Sequence, residues 1–209
     1  MDISISTLRR LPVYLNYLKR LPESQKNISS TTIAAALKYG EVQVRKDLGL
    51  ISGAGKPKVG YNRKELIKTL EDYLGYNNVK KAVLVGAGKL GEALMGYRGF
   101  QDYGLNIVAA FDVKNVGQTV SGKTIYNIDV LEAFCKKENI EIGIITVPSS
   151  AAQEVADRMS ACSIKAIWNF APIYLNLPDD ILVHDENMAA SLALLTKQLE
   201  SGKTGEADE

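Results

Sequence analysis

The segment VGAGKLG, residues 85–91, contains a Gly-x-Gly-x-x-Gly loop. The apolar run KAVLVG precedes it, as expected of a buried parallel strand, and a helical pattern follows it. In dinucleotide-binding folds these glycines permit a tight turn, close approach of the pyrophosphate, and packing of the helix on the strand. The free amides at the start of the helix favour the phosphate charge. We therefore expect a dinucleotide to bind this loop, at Gly86, Ala87, Gly88, Lys89, Leu90 and Gly91.

An acidic residue ends the next apolar run, NIVAAFD, and stands 21 residues after Gly91. A carboxylate at this position accepts hydrogen bonds from the adenosine ribose and repels a 2′-phosphate. The sequence therefore predicts that Asp112 favours NAD and NADH over their 2′-phosphorylated forms.

The predicted nicotinamide end of the site is apolar. Val147, Pro148 and Phe170 follow two further strand-like runs, and ligands lie at the carboxyl ends of strands in such sheets. Apolar walls suit the uncharged dihydronicotinamide better than the cationic oxidised ring. This composition favours recognition of NADH.

Residues for a proton relay or a metal site are not evident in the sequence. The single histidine, His184, falls late in the last predicted strand, and we expect it to be structural. The pair Tyr76 and Lys80 matches a short-chain dehydrogenase spacing, but it precedes the glycine loop, which is the wrong order for that fold. Because hydride transfer usually needs a proton relay, we predict no catalytic residue and no metal ligand.

The first part of the chain differs in charge from the rest. Residues 1–80 hold 14 Lys and Arg against 7 Asp and Glu, whereas residues 81–209 hold 11 against 17. A basic front half indicates contact with a polyanion. We predict three parts: a winged-helix DNA-binding domain at 1–78, a Rossmann NAD(H) domain at 79–186, and a C-terminal helix and tail at 187–209.

The front domain shows a helix-turn-helix pattern. A first helix, expected to start late or kink at Pro12, precedes a short helix capped near Ser29 and a third helix, EVQVRKDLGLI. In the third helix we expect Val42, Val44 and Leu48 to face inward and Asp47 to lie on the exposed side or its edges, with the DNA-contacting residues Gln43, Arg45 and Lys46. A solvated face in a helical bundle is the alternative.

A glycine-rich basic stretch, SGAGKPKVGY, follows at residues 52–61. Glycines around a proline and two lysines are typical of a tight hairpin that reaches DNA beside a recognition helix. We therefore expect a wing that contacts DNA through Lys56 and Lys58. The next predicted helix begins at Arg63 and completes the domain.

Composition and the pattern of apolar residues indicate in which compartment the protein is expected. The chain is 46% hydrophobic and 23% charged, which is ordinary for a globular domain, and it has no apolar run of 18 residues. No secretory segment opens it, so we expect a cytoplasmic protein without membrane contact. Cys135 and Cys162 are expected to be idle thiols.

Several segments in order, LRRLPVYL, VQVRKDL, GKPKVGYN, VGAGKLG, AAFD, ITVP and NFAP, resemble the Rex family of redox-sensing transcriptional repressors. The resemblance implies a homodimer that binds a palindromic DNA operator when NADH is scarce and releases it when NADH binds. It implies that Arg10 and Tyr97 couple the nicotinamide state to domain position, and that the last helix is swapped into the partner subunit. The family's aspartate in that helix corresponds to Ala189 here, which implies weaker redox gating.

Two other functions remain open from the residues alone. The chain is alternatively a small NAD-dependent oxidoreductase whose basic front domain serves oligomerisation, or a nonenzymatic nucleotide-binding subunit that recruits a protein. Sequence-specific DNA binding separates the repressor from both, and hydride turnover would identify the oxidoreductase.

Overall fold

The structure is a computed structural model, which describes residues 3–201 of the chain. The chain forms two compact units, and the second begins at Asn78 and extends to Gln198. Parts of the predicted first and third segments, residues 1–2 and 202–209, lie outside the described residues.

Within its described residues, the first unit contains four helices and a small two-stranded sheet. In chain order they are α1 (Ile5–Arg20), β1 (Asn27–Ile28), α2 (Ser30–Leu37), α3 (Glu41–Ser52), β2 (Tyr61–Asn62) and α4 (Arg63–Leu74). The side chain of Ser29 caps α2 by accepting from the amide of Thr32, and Asn62 caps α4 in the same way. The two strands pair antiparallel. The three helices, the turn at 56–60 and the fourth helix come in the order predicted for a winged helix, whereas strand β1 was not predicted.

Helix α1 corrects the expectation of a late start. It begins at Ile5 and includes Pro12 in its interior. A proline there removes one backbone hydrogen bond, but Leu11, Leu15 and Leu18 are at most 2% exposed in the core of this unit. Burial of these side chains offsets the lost bond, because each fully buried leucine contributes about 1.5–3 kcal/mol.

Two predictions about α3 were wrong. Val42 is 53% exposed, whereas Asp47, expected on the exposed side, is only 3% exposed. Asp47 lies beside Val44 and Leu48 on the buried face, where its carboxylate accepts hydrogen bonds from Arg10, Tyr14 and Thr7 of α1. The buried face of α3 can contain an ionised side chain because residues of α1 supply hydrogen-bond donors to it.

The Arg10–Asp47 pair is a buried salt bridge of 2.8 Å. Burial alone would raise the pKa of Asp47, but the hydrogen bonds from Arg10, Tyr14 and Thr7 outweigh it and lower the pKa. The hydrogen bond to Asp47 raises the pKa of Arg10. The network therefore holds α3 against α1 with both charges retained.

The second unit alternates strands and helices. Its elements are β3 (Lys80–Val85), α5 (Lys89–Gly96), β4 (Leu105–Asp112), β5 (Thr119–Val120), β6 (Lys123–Asn127), α6 (Leu131–Glu138), β7 (Ile142–Ile145), α7 (Ser149–Ser160), β8 (Ala166–Asn169), β9 (Leu182–Asp185) and α8 (Met188–Glu200). A 3-10 helix, Arg98–Tyr103, joins α5 to β4, and a second, Ile128–Val130, precedes α6.

The strands form one sheet in the order β5-β6-β4-β3-β7-β8-β9. All neighbours are parallel except the β5–β6 hairpin at the edge. Without β5 this is the strand order of a Rossmann sheet, and the order reverses between β3 and β7. The predicted doubly wound fold is confirmed, and the reversal marks where a ligand binds.

Apolar clusters cover both faces of the sheet. One face packs Val83, Phe111 and Ile145 against α6 and α7, and the other packs Leu84, Ile107 and Ile144 against α5 and the 3-10 segment at 98–103. Cys135 is buried and Cys162 half-buried, and both are free thiols.

Helix α8 has no buried residue. Large apolar side chains along it are at least half exposed: Met188, Leu192, Leu194, Leu195 and Leu199. A helix with this apolar surface needs a partner to cover it.

We predict that Asp47→Ala lowers the free energy of unfolding of the first unit by about 3–5 kcal/mol, because it leaves the Arg10 guanidinium buried without its counterion. Urea denaturation followed by circular dichroism measures this change. Glu41→Ala, which removes an exposed acid from the same helix, is the control and should cost less than about 1 kcal/mol.

The contribution of Asp47 to the stability of the first unit depends on pH. Because the pKa of Asp47 is lowered on folding, its contribution is present above its ordinary value of 3.8 and is lost as the pH falls below it. The stability difference between wild type and Asp47→Ala should therefore shrink in acid. Equal stability of the two proteins at pH 7 would contradict this role of Asp47.

Candidate functional site

The glycine loop between β3 and α5 is set by close backbone packing. Gly86 has φ 105°, and a Cβ there would lie 2.7 Å from the carbonyl carbon of Thr146. A Cβ on Gly91 would meet the carbonyl oxygen of Gly86. The Thr146 hydroxyl donates to that same oxygen at 2.7 Å. Neither position has room for a side chain, so these contacts hold the loop at the end of β3.

Gly88 differs from its two neighbours in the motif. It is exposed, and a Cβ built on it would meet nothing within 4 Å. It forms the N-cap of α5 and has no side chain that could bind the first amides of the helix. Gly88 therefore keeps the entrance to an anion site clear, with Lys89 exposed and Leu90 half-buried beside it.

Asp112 ends β4 next to this loop. Its Oδ2 accepts from the amide of Ala87 at 2.7 Å, and its Oδ1 accepts from the amide of Lys114 at 2.8 Å. The Asn115 side-chain amide donates to the carbonyl of Ala87 at 3.0 Å. Since each carboxylate oxygen has two lone pairs, Asp112 retains acceptor capacity toward ribose hydroxyls.

The predicted apolar wall lies at the same edge of the sheet. Val147, half-buried, approaches Gly86, and Pro148 forms the N-cap of α7. Phe170 is half-buried directly after β8, where its amide donates to the carbonyl of Ile145 at 2.9 Å. The structure thus gathers the loop, the acid and the apolar wall at the point where the strand order reverses.

The proposed coupling residues lie in separate elements. Tyr97, 59% exposed, follows α5 directly, and Ala189 is exposed in the first turn of α8. Arg10 is 9% exposed, and its guanidinium donates to Asp47 and Thr7. Its contacts within the first unit account for its burial without a coupling role, so that role stays a prediction.

A groove of about 650 Å³ lies in the first unit between α3 and the 54–61 hairpin. Arg45, Lys56 and Lys58 line it, together with Ser29 and Ser30 at the start of α2. No carboxylate is among its lining residues. Three cations with hydroxyl donors suit phosphates of a nucleic acid.

The hairpin that forms one wall of the groove is tightly turned. Lys56 and Gly60 form an antiparallel bridge, and Lys58 between them has φ 61°. Gly60 has φ 81°, and a side chain there would meet the carbonyl oxygen of Ile28 in β1. Only glycine fits at this point, which holds the basic tip beside α2.

Two of the five predicted DNA-contacting residues do not line the groove. Gln43 is half-buried, and Lys46 is exposed on α3. Neither borders the groove that contains Arg45.

The structure offers no metal centre or spanning helix within residues 3–201. No group of three or more His, Cys, Asp and Glu there could hold a metal ion. None of the helices in that range is long and apolar enough to cross a membrane. His184 is exposed in β9, with its Nε2 3.5 Å from Glu186.

Sequence reasoning missed three residues that hold these sites in place. Thr146, directly after β7, and Asn115, three residues after β4, bind the glycine loop, and Asp47 positions α3. Asp47 had a usable signal, because it follows Val44 by three positions and so shares its helical face. Thr146 and Asn115 had none, because their partners are distant backbone atoms.

Family models match both parts of the chain. Residues 2–49 match a putative DNA-binding protein N-terminus, and residues 77–173 match a CoA binding domain. Two solved structures match most of the chain: RSP with β-NAD⁺ and operator DNA at TM-score 0.90 and 33% identity, and RSP with β-NADH at 0.87 and 32%. They cover 97% of this chain and 95% and 97% of theirs.

Curated relatives match over nearly the whole length. The redox-sensing transcriptional repressor Rex of Treponema denticola is 42% identical over 94% of this chain and 95% of its own. That of Bacteroides fragilis is 41% identical over 92% of this chain and 89% of its own. With these relatives, a dinucleotide loop and a basic groove, the chain belongs to the Rex family of redox-sensing transcriptional repressors.

Proposed function

We propose that this protein is a transcriptional repressor that senses the ratio of NADH to NAD⁺. It binds a palindromic DNA operator when NADH is low and releases the DNA when NADH binds. One observation carries the proposal: a single chain contains a carboxylate-free basic groove in one unit and a glycine loop with Asp112 in the other. Relatives that resemble it along the whole chain are named redox-sensing repressors.

The DNA-binding surface is the groove of the first unit. Arg45 projects from α3, which acts as the recognition helix in the major groove, because an arginine there can donate to both O6 and N7 of guanine. Lys56 and Lys58 contact phosphates from the wing. Gln43 and Lys46 belong to the same helix and flank this contact.

The nucleotide site is the loop of the second unit. The amides at the start of α5 receive the pyrophosphate, Asp112 receives the adenosine ribose, and Val147, Pro148 and Phe170 surround the nicotinamide. NADH and NAD⁺ are both ligands, and a solved relative is described with each. The chain uses the nucleotide as a signal and is not an enzyme, and it acts in the cytoplasm, where operator DNA lies.

The functional unit is a homodimer. The exposed apolar side chains of α8 find their partner in a second copy, where the helix is swapped. The two recognition helices of such a dimer must lie about 34–36 Å apart to enter successive major grooves. A nucleotide that binds better to a dimer with another spacing releases the DNA without touching it.

The test measures linkage in both directions. Saturating NADH should raise the dissociation constant for operator DNA, and DNA should raise that for NADH by the same factor, about 5–150-fold. Fluorescence anisotropy of a labelled palindrome at fixed salt gives the first factor, and calorimetry gives the second. With Ala189 in place of the family's aspartate, we expect the lower half of that range.

Two other outcomes would contradict the proposed function. If NADH leaves the DNA dissociation constant unchanged, the sensor function fails. Hydride turnover with a small alcohol or aldehyde would instead support the oxidoreductase.

We predict that Arg45→Ala weakens binding to the specific operator by about 1–3 kcal/mol and relaxes base preference at one position per half-site. Lys58→Ala, the matched loss of one positive charge from the other wall of the groove, should weaken binding to all sequences and lower the salt slope by about 1. Titrations against specific and scrambled duplexes separate the two effects. Equal losses on both duplexes from both variants would exclude Arg45 from base recognition.

We predict that two alanine substitutions in the glycine loop affect different properties, one the stability of the second unit and the other NADH binding. Gly91→Ala places a methyl group against the Gly86 carbonyl and should lower the stability of the second unit by about 1–3 kcal/mol. Gly88→Ala meets open space and should leave the melting temperature nearly unchanged while it blocks the pyrophosphate and weakens NADH binding. Thermal melts and NADH titrations measure both, and normal NADH affinity of Gly88→Ala would show that the nucleotide binds elsewhere.

A further inference from the structure

A continuous series of aromatic ring contacts crosses one face of the second unit. The ring of Tyr97 lies 4.9 Å from that of Phe100, and Phe100 lies 5.7 Å from Trp168. Trp168 lies 4.6 Å from Phe170. These centroid distances are within the range of favourable ring packing. The series therefore joins the segment after α5 to the apolar wall at the end of β8.

Trp168 also has a polar contact that leads to α8. Its indole N–H donates to Oε1 of Glu186 at 3.3 Å. The amide of Glu186 donates to the carbonyl of Asn169 at 2.8 Å, and the next residue, Asn187, caps α8 by accepting from the amide of Ala190 at 2.9 Å. The Trp168 side chain thus contacts Phe170, Phe100 and Glu186, which lies two residues before α8.

The backbone around Trp168 is held rigidly. Asn169 is fully buried, and its side-chain amide donates to the carbonyls of Ala171 and Ile173 and to Asp185 Oδ1. Its Oδ1 accepts from the amide of Ala171 at 2.9 Å. These hydrogen bonds hold the backbone between Trp168 and Phe170 at the end of β8.

We infer that Trp168 and Phe100 are positioning residues that transmit occupancy of the nicotinamide site to Tyr97 and to the start of α8. The inference rests on the proposed function, since it needs a dinucleotide against Phe170 and DNA as the second ligand. When a nicotinamide ring packs on Phe170, the Phe170 ring moves against Trp168. Phe100 then carries the shift to Tyr97, and the Trp168–Glu186 hydrogen bond carries it to the cap of α8.

Two substitutions interrupt the series at different points. Phe100→Leu removes the ring between Tyr97 and Trp168, and Trp168→Phe keeps an aromatic ring but removes the N–H donor to Glu186. The matched control is Phe134→Leu. Phe134 is also half-buried and also contacts two rings, Phe111 and Tyr126, each at 5.4 Å, but it packs on the opposite face of the sheet.

The measured quantity is the ratio of the operator dissociation constants with and without saturating NADH, in the full-length protein. Phe100→Leu and Trp168→Phe should each lower this ratio by about twofold or more, toward a value of 1, and such a twofold loss is about 0.4 kcal/mol at about 1.36 kcal/mol per tenfold. The DNA affinity without NADH and the NADH affinity without DNA should each stay within about threefold of wild type. Loss of stability alone would change those single-ligand affinities, whereas loss of transmission changes only the ratio.

A double-mutant cycle tests whether the two residues act as one series. If they do, the double variant loses little more coupling than either single variant. The inference is overturned if both variants keep the wild-type ratio, or if Phe134→Leu lowers the ratio as much as they do. A wild-type protein without any response to NADH would instead refute the proposed function, so the two failures are distinguishable.

Discussion

The close approach of α5 to the end of β3 is the contact on which the nucleotide site depends. Gly91 packs against the Gly86 carbonyl so tightly that no side chain fits, and Thr146, directly after β7, donates to the same oxygen. This packing fixes where the free amides of α5 point. Asp112 at the end of β4 and Asn115 just after it then bind the backbone of Ala87. The carboxylate proposed to receive the ribose therefore also supports the loop.

A buried ion pair has the corresponding role in the first unit. A charged group away from water is tolerated only with complete hydrogen bonding, and Asp47 has donors from Arg10, Tyr14 and Thr7. These bonds hold one side of α3 inward and leave Arg45 facing the groove. Buried hydrogen bonds thus fix the orientation of α3, while the groove proposed to bind DNA has a basic lining.

Both sites are formed by one copy of the chain, but α8 has no cover of its own among the described residues. The proposed homodimer supplies that cover and makes the spacing between two recognition helices available for regulation. Trp168 lies where such regulation would begin, because its ring packs on Phe170 and its N–H binds Glu186 before α8. A local change at Phe170 therefore has a physical route toward α8, the helix proposed to join two subunits.

The sequence by itself determined the fold class, the glycine loop, the strand-end position of Asp112, and the helix, wing and helix order of the first unit. These features follow from local periodicity and from backbone conformations that only certain residues adopt. Only the tertiary structure decided that Asp47 is buried, that Val42 is exposed and that α1 continues through Pro12. For Asp47 the deciding partner is Arg10, 37 residues away, and for Pro12 it is the packing of the neighbouring leucines of α1 against Val44 and Leu66. The ring series from Tyr97 to Phe170 was beyond sequence reasoning for the same reason, since packing across strands and not spacing along the chain brings those side chains together.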